Sequence, residues 1–292
     1  MPAQLAPHEW YPAADPRVRA RFVAVAGEQV RVVECGPDDG RIALLVHGWG
    51  CSAFAWRHVL PALGDAGYRA IAIDLRGHGL SDKPPDEDAY TTASLVRQVA
   101  QLREALGIGR AALVAHSMGA VIARELAFAE PQRVSHLVLL SPAGFGRIHR
   151  AEMGRLFSPR LLAPMLPMVV TRGAVARSMA HTWGDRTSPT EQEVDDYWAP
   201  TQFREFVMAS RHLLHRFDWA PPDPARWAAP GLPPVLTILG THERLIDLTA
   251  TEVYIARHVR RARIEVIEGA GHALQEDSPD EVNPLLVEFL RG

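Results

Sequence analysis

A serine stands where a predicted strand gives way to a predicted helix. Ser117 lies in the segment A-H-S-M-G (115–119), between the apolar run 111–115 and a helical pattern over 118–129. A tight turn at this junction would lift the serine hydroxyl clear of the sheet and place it beside the free N–H groups of the first helical turn. Such a position suits a nucleophile, because a helix N-terminus favours negative charge. The alternative is an exposed serine that only caps the helix.

A histidine follows the last predicted strand. His272 lies in G-A-G-H-A-L (269–274), after the strand 263–267 and before a terminal helix at 279–290. The carboxyl ends of parallel strands meet at one edge of a sheet, so His272 and Ser117 are expected at the same edge. We therefore predict that His272 is the general base that takes the proton of Ser117.

The acid partner of His272 is expected in the loop G-T-H-E-R-L-I-D (240–247). An acid here keeps the chain order serine, acid, histidine. Glu243 is preferred because it lies close to the strand end, whereas Asp247 stands where an aspartate commonly caps a helix. Its role would be to fix the tautomer of His272 and to stabilise the imidazolium.

Two backbone N–H groups are predicted to hold an oxyanion. The segment H-G-W-G (47–50) follows the buried strand 42–46, and its Trp49 N–H is one candidate. The N–H of Met118, directly after the nucleophile, is the other. We further predict that three neighbouring residues contact the substrate, namely His47, Gly48 and His116.

Apolar runs divide the chain into alternating strands and helices. Strands are predicted at 21–26, 29–35, 42–46, 69–74, 111–115, 134–140, 234–239 and 263–267, and helices at 55–66, 93–106, 118–129, 248–258 and 279–290. The first two strands form a hairpin around a turn at 27–28. This succession predicts an α/β fold with an eight-stranded, mostly parallel sheet and helices on its faces. No convincing strand occurs over 145–230, so this range is predicted to be a helical cap inserted into a core of residues 1–144 and 231–292.

Composition narrows the classes of partner. The formal net charge of −3 gives no reason to expect nucleic acid, and no apolar stretch of membrane-spanning length occurs. Cys35 and Cys51 alone make no disulfide framework, and the N-terminal residues do not form a secretory signal, which favours a cytoplasmic protein. Oligomeric state is not indicated.

No cofactor or metal is predicted. The segment G-I-G-R-A-A (107–112) resembles a dinucleotide-binding loop, but it ends a helix and enters a strand, which is the wrong order. His212 and His215 lie near Asp218, yet no further ligand pattern accompanies them, so we assign them to packing.

The motifs resemble the α/β-hydrolase superfamily. They occur in family order over about 20–145 and 230–292: H-G-W-G, D-L-R-G-H-G-L-S-D (74–82), A-H-S-M-G and G-A-G-H. The family usually has glycine where this chain has Ala115, and aspartate where it has Glu243. Epoxide hydrolases and haloalkane dehalogenases share the first two motifs but use an aspartate nucleophile. The resemblance therefore implies the serine branch, which includes carboxylesterases and lipases.

The predicted reaction is hydrolysis of a carboxylic ester through an acyl-enzyme. The predicted cap is rich in aromatic residues and holds five of the seven methionines, so the small-molecule substrate is expected to carry an apolar acyl or alkyl group. The same triad would also suit carbon–carbon bond hydrolysis, lactone hydrolysis or cofactor-free peroxyacid formation. A ligand-binding member of the fold with little turnover is the alternative from a different class.

Overall fold

The computed structural model describes residues 15–146, 170–185 and 187–292. Most of the predicted cap lies within these ranges. The methionines at 153, 165 and 168, which contributed to the prediction of an apolar substrate, lie outside the described residues.

Eight strands form one sheet in the order β1-β2-β4-β3-β5-β6-β7-β8. Their bounds are β1 Arg19–Val25, β2 Glu28–Cys35, β3 Arg41–Val46, β4 Tyr68–Ile73, β5 Ala111–His116, β6 Val134–Leu140, β7 Val235–Gly240 and β8 Ala262–Ile267. Strand β2 pairs antiparallel with β1 and β4, and the strands from β3 to β8 pair in parallel. The prediction of an eight-stranded, mostly parallel sheet is confirmed.

The hairpin between β1 and β2 turns one residue earlier than predicted. Ala26 and Gly27 are the two turn residues, with φ of 49° and 89°. Two consecutive positive φ values give the turn the backbone twist that suits a two-residue hairpin. The predicted turn at 27–28 was therefore wrong by one residue, because Glu28 already belongs to β2.

Alternate residues of the central strands feed two cores, one on each face of the sheet. Leu44 and Leu113 are fully buried in one apolar cluster, and their neighbours Leu45 and Val114 are fully buried in the other. Strands covered on both faces need apolar side chains at every position, which is why their sequences are continuous apolar runs.

Helices cover both faces and the strand ends. They are α1 Val59–Asp65, α2 Thr92–Ala105, α3 Met118–Ala129, α4 Arg172–Thr182, α5 Glu191–Trp198, α6 Arg204–Arg216, α7 Leu248–His258, α8 Leu274–Asp277 and α9 Pro279–Arg291. The predicted helix at 55–66 is in fact a short 3₁₀ turn, Ala53–Trp56, followed by α1. Among the residues that the structure describes, no helix is long and apolar enough to cross a bilayer.

The described part of the segment between β6 and β7 is helical, with α4, α5 and α6 as its main elements. Helix α5 begins with a capping box, in which the Thr190 and Glu193 side chains each bind the backbone N–H of the other residue. Helix α6 packs into the core cluster of one sheet face through Ala209 and Leu213. Helix α6 is therefore anchored to the sheet rather than standing apart from it.

Candidate active site

Ser117 occupies a strained turn between β5 and α3. Its φ of 51° and ψ of −117° lie in a region that residues with a side chain rarely adopt. Neighbouring backbone holds the turn: the Ser117 N–H donates to the Leu140 carbonyl at 3.0 Å, and the Ser117 carbonyl accepts from the Ala143 N–H at 3.1 Å. The sequence context of a strand followed at once by a helix predicted such a turn, and the geometry agrees with it.

Two glycines let neighbouring backbone approach this turn. A side chain on Gly119 would place its Cβ 2.3 Å from the Val46 carbonyl oxygen, so α3 begins directly against the end of β3. A side chain on Gly48 would place its Cβ 3.0 Å from the Ser117 Cβ. The loop that carries Trp49 therefore lies against the serine, which is where a second oxyanion donor is needed.

The imidazole of His272 lies between the serine and an acid. Its Nε2 is 2.9 Å from the Ser117 Oγ, and its Nδ1 is 2.7 Å from the Glu243 Oε2. With Nδ1–H donating to the carboxylate, Nε2 is left to accept the serine proton. Three side chains far apart in sequence thus form one continuous hydrogen-bonded chain.

Glu243, and not Asp247, is the carboxylate that contacts His272. The second oxygen of Glu243 accepts the N–H groups of Leu245 and Ile246, at 2.7 and 3.2 Å. Asp247 instead caps α7 by accepting the Ala250 N–H at 2.9 Å. The structure thus places the preferred residue beside the histidine and gives Asp247 the capping position that its sequence context indicated.

The Glu243 carboxylate is held in its ionised form. Burial by itself would raise its pKa, but the charge and hydrogen bond of His272, together with the N–H groups of Leu245 and Ile246, outweigh burial and lower the pKa to about 2. A buried ionised carboxylate of this kind keeps the Nδ1 proton of His272 in place.

His47 and Gly48 were predicted to contact the substrate, and the structure places neither among the residues that line the cavity at Ser117. The His47 ring is fully buried; its Nε2 accepts the Leu75 N–H at 3.0 Å, and its Nδ1 lies 2.7 Å from the Gly48 carbonyl. Burial lowers the pKa of His47, so the ring is neutral. With both nitrogens engaged by backbone, His47 fixes two loops and has no polar atom left for a ligand.

The loop after β4 supports the predicted oxyanion loop. The His78 Nε2 accepts the Gly50 N–H at 3.1 Å, and the Asp74 Oδ1 accepts the Ala53 N–H at 2.7 Å. Both side chains are fully buried, and burial holds the pKa of His78 well below its ordinary value. The segment 74–82 therefore has a structural role at this loop, and His78 is not placed to act as a base.

His116, which is predicted to contact the substrate, is among the residues that line the cavity and also contacts the backbone of the histidine loop. Its Nε2–H donates to the His272 carbonyl oxygen at 3.0 Å. Burial, followed by the proximity of His272, lowers the pKa of His116 to about 3, so the ring stays neutral. The residue before Ser117 thus holds the loop that carries His272.

A cavity of about 620 Å³ opens beside Ser117 and His272. Helices between β6 and β7 supply apolar walls through side chains such as Met179, Phe206 and Leu214. Trp49 lines the cavity as well, and its indole N–H donates to the Ser210 carbonyl of α6 at 3.1 Å. The side chain of Met118 is instead buried in the core beneath the turn, so only its backbone can serve the site.

Sequence reasoning missed a polar cluster in the cavity wall. Tyr197 of α5 and Glu276 of α8 both line the cavity, and the tyrosine hydroxyl donates to the Glu276 Oε1 at 2.6 Å. Arg57 lies behind them and donates to the Glu276 Oε2 at 2.5 Å. No motif in the sequence marks Arg57, Tyr197 or Glu276.

Within the described residues, no group of three or more histidine, cysteine, aspartate or glutamate side chains is arranged to hold a metal ion. His212 stacks on the Tyr90 ring with centroids 5.5 Å apart. Its Nδ1 lies 3.7 Å from a carboxylate oxygen of Glu87. These contacts are those of a packed core histidine.

The chain is similar to known proteins in both sequence and structure. A sequence model described as the alpha/beta hydrolase family matches residues 43–285. Epoxide hydrolase A of Mycobacterium tuberculosis is 28% identical, over 93% of this chain and 97% of the relative. A 2-hydroxy-6-oxo-6-phenylhexa-2,4-dienoate hydrolase of Comamonas testosteroni is 29% identical, over 87% of this chain and 88% of the relative. The solved structure of a carboxylesterase from Bacillus subtilis superposes with a TM-score of 0.79 at 20% identity, covering 97% of this chain and 94% of that one.

Proposed function

The chain belongs to the alpha/beta hydrolase family, and from this membership we propose that it hydrolyses a carboxylic ester through an acyl-enzyme on Ser117. The observation that carries the proposal is the hydrogen-bonded chain from the Ser117 Oγ through the His272 imidazole to the Glu243 carboxylate. That chain is the arrangement that activates a serine hydroxyl towards a carbonyl carbon.

In the first half of the reaction, the Ser117 Oγ attacks the ester carbonyl while His272 Nε2 takes the hydroxyl proton. The negative charge that forms on the carbonyl oxygen is held by the backbone N–H groups of Trp49 and Met118. His272 then passes its proton to the departing alcohol, and the acyl group stays on Ser117.

In the second half, a water molecule gives its proton to His272 and attacks the acyl-enzyme. The collapse of this second oxyanion releases the carboxylic acid, and the proton returns to Ser117. Glu243 keeps the same hydrogen bond to His272 throughout, which stabilises the imidazolium in both halves.

The helices between β6 and β7 are proposed to form a cap, with the core at 1–144 and 231–292 and the cap at 145–230. In support, Met179, Phe206 and Leu214 come from this segment and face the cavity at Ser117. Walls of this kind favour a substrate with an apolar acyl or alkyl group.

Epoxide hydrolysis fits the serine poorly, although epoxide hydrolases are among the relatives. Attack of a serine hydroxyl on an epoxide carbon would form an ether, which water does not cleave under mild conditions. Attack by an aspartate forms an ester, which water can cleave, and aspartate is the nucleophile in the epoxide hydrolases that these motifs resemble. Ser117 at this position therefore favours a carbonyl substrate.

Carbon–carbon bond hydrolysis on the same triad is the second candidate, because a dienoate hydrolase is a relative of similar length. A dienoate is an anion. The described residues that line the cavity include no lysine or arginine, whereas they do include Glu276. A neutral ester is thus the better match for this lining.

Two measurements test the proposal. The wild-type protein should hydrolyse p-nitrophenyl esters and be labelled by a fluorophosphonate, and Ser117→Ala should abolish the label and lower kcat by roughly 10³-fold or more. An unlabelled wild-type protein would favour the ligand-binding alternative. Near-normal ester turnover in Ser117→Ala would exclude Ser117 as the nucleophile.

A further inference from the structure

One corner of the cavity at Ser117 is polar while most of its wall is apolar. Glu276 is the only carboxylate among the described residues that line the cavity, and Tyr197 lies beside it. The Glu276 side chain is 2% exposed, so its charge is taken out of water at a cost that must have a compensating partner.

That partner is Arg57, and its contacts make this corner of the cavity rigid. The Arg57 guanidinium donates to Glu276 at 2.5 Å and to Glu193 at 2.6 Å, and it also stacks over the Phe54 ring at 4.3 Å. The edge of the Phe54 ring in turn meets the Tyr197 ring, with centroids 5.7 Å apart. The tyrosine is therefore held in one position before any ligand arrives.

The Tyr197 hydroxyl is placed to accept a hydrogen bond from a ligand rather than to donate one. A phenol has one hydrogen to donate, and here that hydrogen goes to Glu276 at 2.6 Å. Burial is the main reason that the pKa of Tyr197 is well above its ordinary value, so the hydroxyl keeps its hydrogen at neutral pH. The capacity that remains on the tyrosine oxygen is to accept a hydrogen bond.

The charged residues around this corner also disfavour a negatively charged substituent on the ligand. Glu276 and Trp183 also line a second cavity of about 430 Å³, whose other walls include Glu193, Asp277 and Glu281. Arg57 supplies one positive charge against the two carboxylates of Glu276 and Glu193, so the region keeps a net negative charge that would repel a negatively charged substituent at Tyr197. A neutral donor is favoured over a cation, because a full charge costs more to bury than a hydroxyl.

Resting on the proposed ester hydrolysis, we propose that Tyr197, oriented by Glu276, is a specificity subsite that accepts a hydrogen bond from a hydroxyl group on the substrate. The preferred substrate class is then a neutral ester with an apolar chain that carries one hydroxyl, in either its acyl or its alcohol part. An ether or ketone oxygen at that place would face the lone pairs of the tyrosine oxygen and be disfavoured.

The first test uses the wild-type enzyme and isosteric esters. Each set has the same chain length and ends in methyl, hydroxyl or methoxy, and the series is repeated over a range of chain lengths in the acyl part and then in the alcohol part. At the best length, kcat/KM for the hydroxyl ester should exceed that for the methoxy ester by roughly tenfold. Equal values, or a preference for methoxy, across both series would overturn the proposal. A preference for an amine-ended ester over the hydroxyl ester would show a cation site instead and also overturn it.

The second test removes the acceptor. In Tyr197→Phe, the ratio of kcat/KM for hydroxyl and methyl esters should fall by roughly tenfold. Tyr254→Phe is the matched control: it also loses one hydroxyl, which donates to the Pro222 carbonyl at 2.7 Å away from the cavity, and its ratio should equal that of the wild type. An unchanged ratio in Tyr197→Phe would contradict the subsite.

A binding measurement separates this proposal from the proposed reaction. Calorimetric titration of the Ser117→Ala protein with 1-heptanol and its isomer 1-methoxyhexane should show a preference for the alcohol that Tyr197→Phe in the same background removes. If no ester is hydrolysed but this preference is present, the reaction is wrong and the subsite stands. If esters are hydrolysed and the preference is absent, the subsite is wrong and the reaction stands.

Discussion

At the scale of single residues, the carboxylate of Glu243 has two separate tasks. One oxygen binds His272, and the other binds two N–H groups of its own loop. The loop contacts orient the carboxylate towards the imidazole and leave its other oxygen free to bind His272. The glutamate side chain is longer than that of the aspartate common in this family, and these loop contacts fix the additional torsion.

Replacement of Glu243 by glutamine should lower kcat by roughly 10³- to 10⁴-fold, because an amide N–H facing Nδ1 favours the tautomer that cannot take the serine proton. Asp247→Asn is the matched control. Asparagine caps helices as well as aspartate does, so activity and stability should stay close to wild type. Steady-state measurement of kcat for both variants on one p-nitrophenyl ester shows which carboxylate supports the reaction. A large loss in Asp247→Asn with little loss in Glu243→Gln would reverse the assignment of the acid.

The pKa of Glu243 also predicts how stability depends on pH. Its folded-state pKa of about 2 is below the ordinary value of 4.5, so the carboxylate stabilises the fold fully above about pH 4.5 and loses this effect as the pH falls towards 2. The difference corresponds to roughly 3 kcal/mol, of which about 2 kcal/mol should be lost by about pH 3. Urea unfolding of wild type and Glu243→Gln should show a gap in unfolding free energy that narrows by this amount on acidification. A constant gap would contradict the shifted pKa.

At the scale of elements, the site depends on how closely α3 abuts β3. The helix begins at Met118, and Gly119 lies against the carbonyl oxygens of Val46 and His47, at 2.3 and 2.7 Å from where a Cβ would be. Because backbone atoms cannot turn aside as a side chain can, any side chain at Gly119 must move the helix or the strand. The same close approach brings the loop of Trp49 against Ser117.

Gly119→Ala should therefore cost about 2 kcal/mol or more of unfolding free energy and lower kcat by roughly tenfold or more, because the start of α3 carries one of the proposed oxyanion donors. Gly109→Ala is the control, since a Cβ there meets nothing within 4 Å and the backbone has no positive φ. It should change stability by less than about 1 kcal/mol. Chemical denaturation and ester kinetics measure both effects. Equal behaviour of the two variants would show that the close approach is not what limits position 119.

At the scale of the whole molecule, the segment between β6 and β7 shares a core with the sheet. Leu213 and Phe217, at the end of α6, belong to the same buried cluster as Leu44 of β3 and Leu113 of β5. This segment is also tied to the histidine loop, because the Ala273 N–H donates to the Thr182 carbonyl and the Asp277 carboxylate accepts the N–H groups of both Gly184 and Gly271. The described helices and the sheet are therefore expected to unfold together.

Phe217→Ala should lower the unfolding free energy of the whole protein by about 3–5 kcal/mol, since the ring is 1% exposed within the shared core. Phe203→Ala, at the other end of α6, makes the same chemical change where the ring is 38% exposed, and should cost about 1 kcal/mol or less. Calorimetry should show one cooperative transition in each variant. A separate early transition in Phe217→Ala, with the main transition unmoved, would show that the helices unfold independently of the sheet.

The sequence by itself determined the sheet and two members of the hydrogen-bonded chain. Strands buried on both faces, such as β3 and β5, are visible as apolar runs, and the exposed strand β1 is visible through its hairpin with β2. The chemistry-bearing residues follow strands whose carboxyl ends share one edge. Ser117 could be predicted because it directly follows β5, and His272 because it lies in the loop after β8. Their catalytic roles remain proposals that the variants above will test.

Only the tertiary structure decided which side chains meet. It placed Glu243 and not Asp247 beside His272, and it turned the His47 ring towards two loops instead of the cavity. It also brought Arg57, Tyr197 and Glu276 together from distant segments to make the polar corner of the cavity. Local patterns record burial and backbone conformation, which act between near neighbours in the chain. A contact between side chains more than 75 residues apart, as between Tyr197 and Glu276, depends on how whole elements pack and leaves no periodic trace in the sequence.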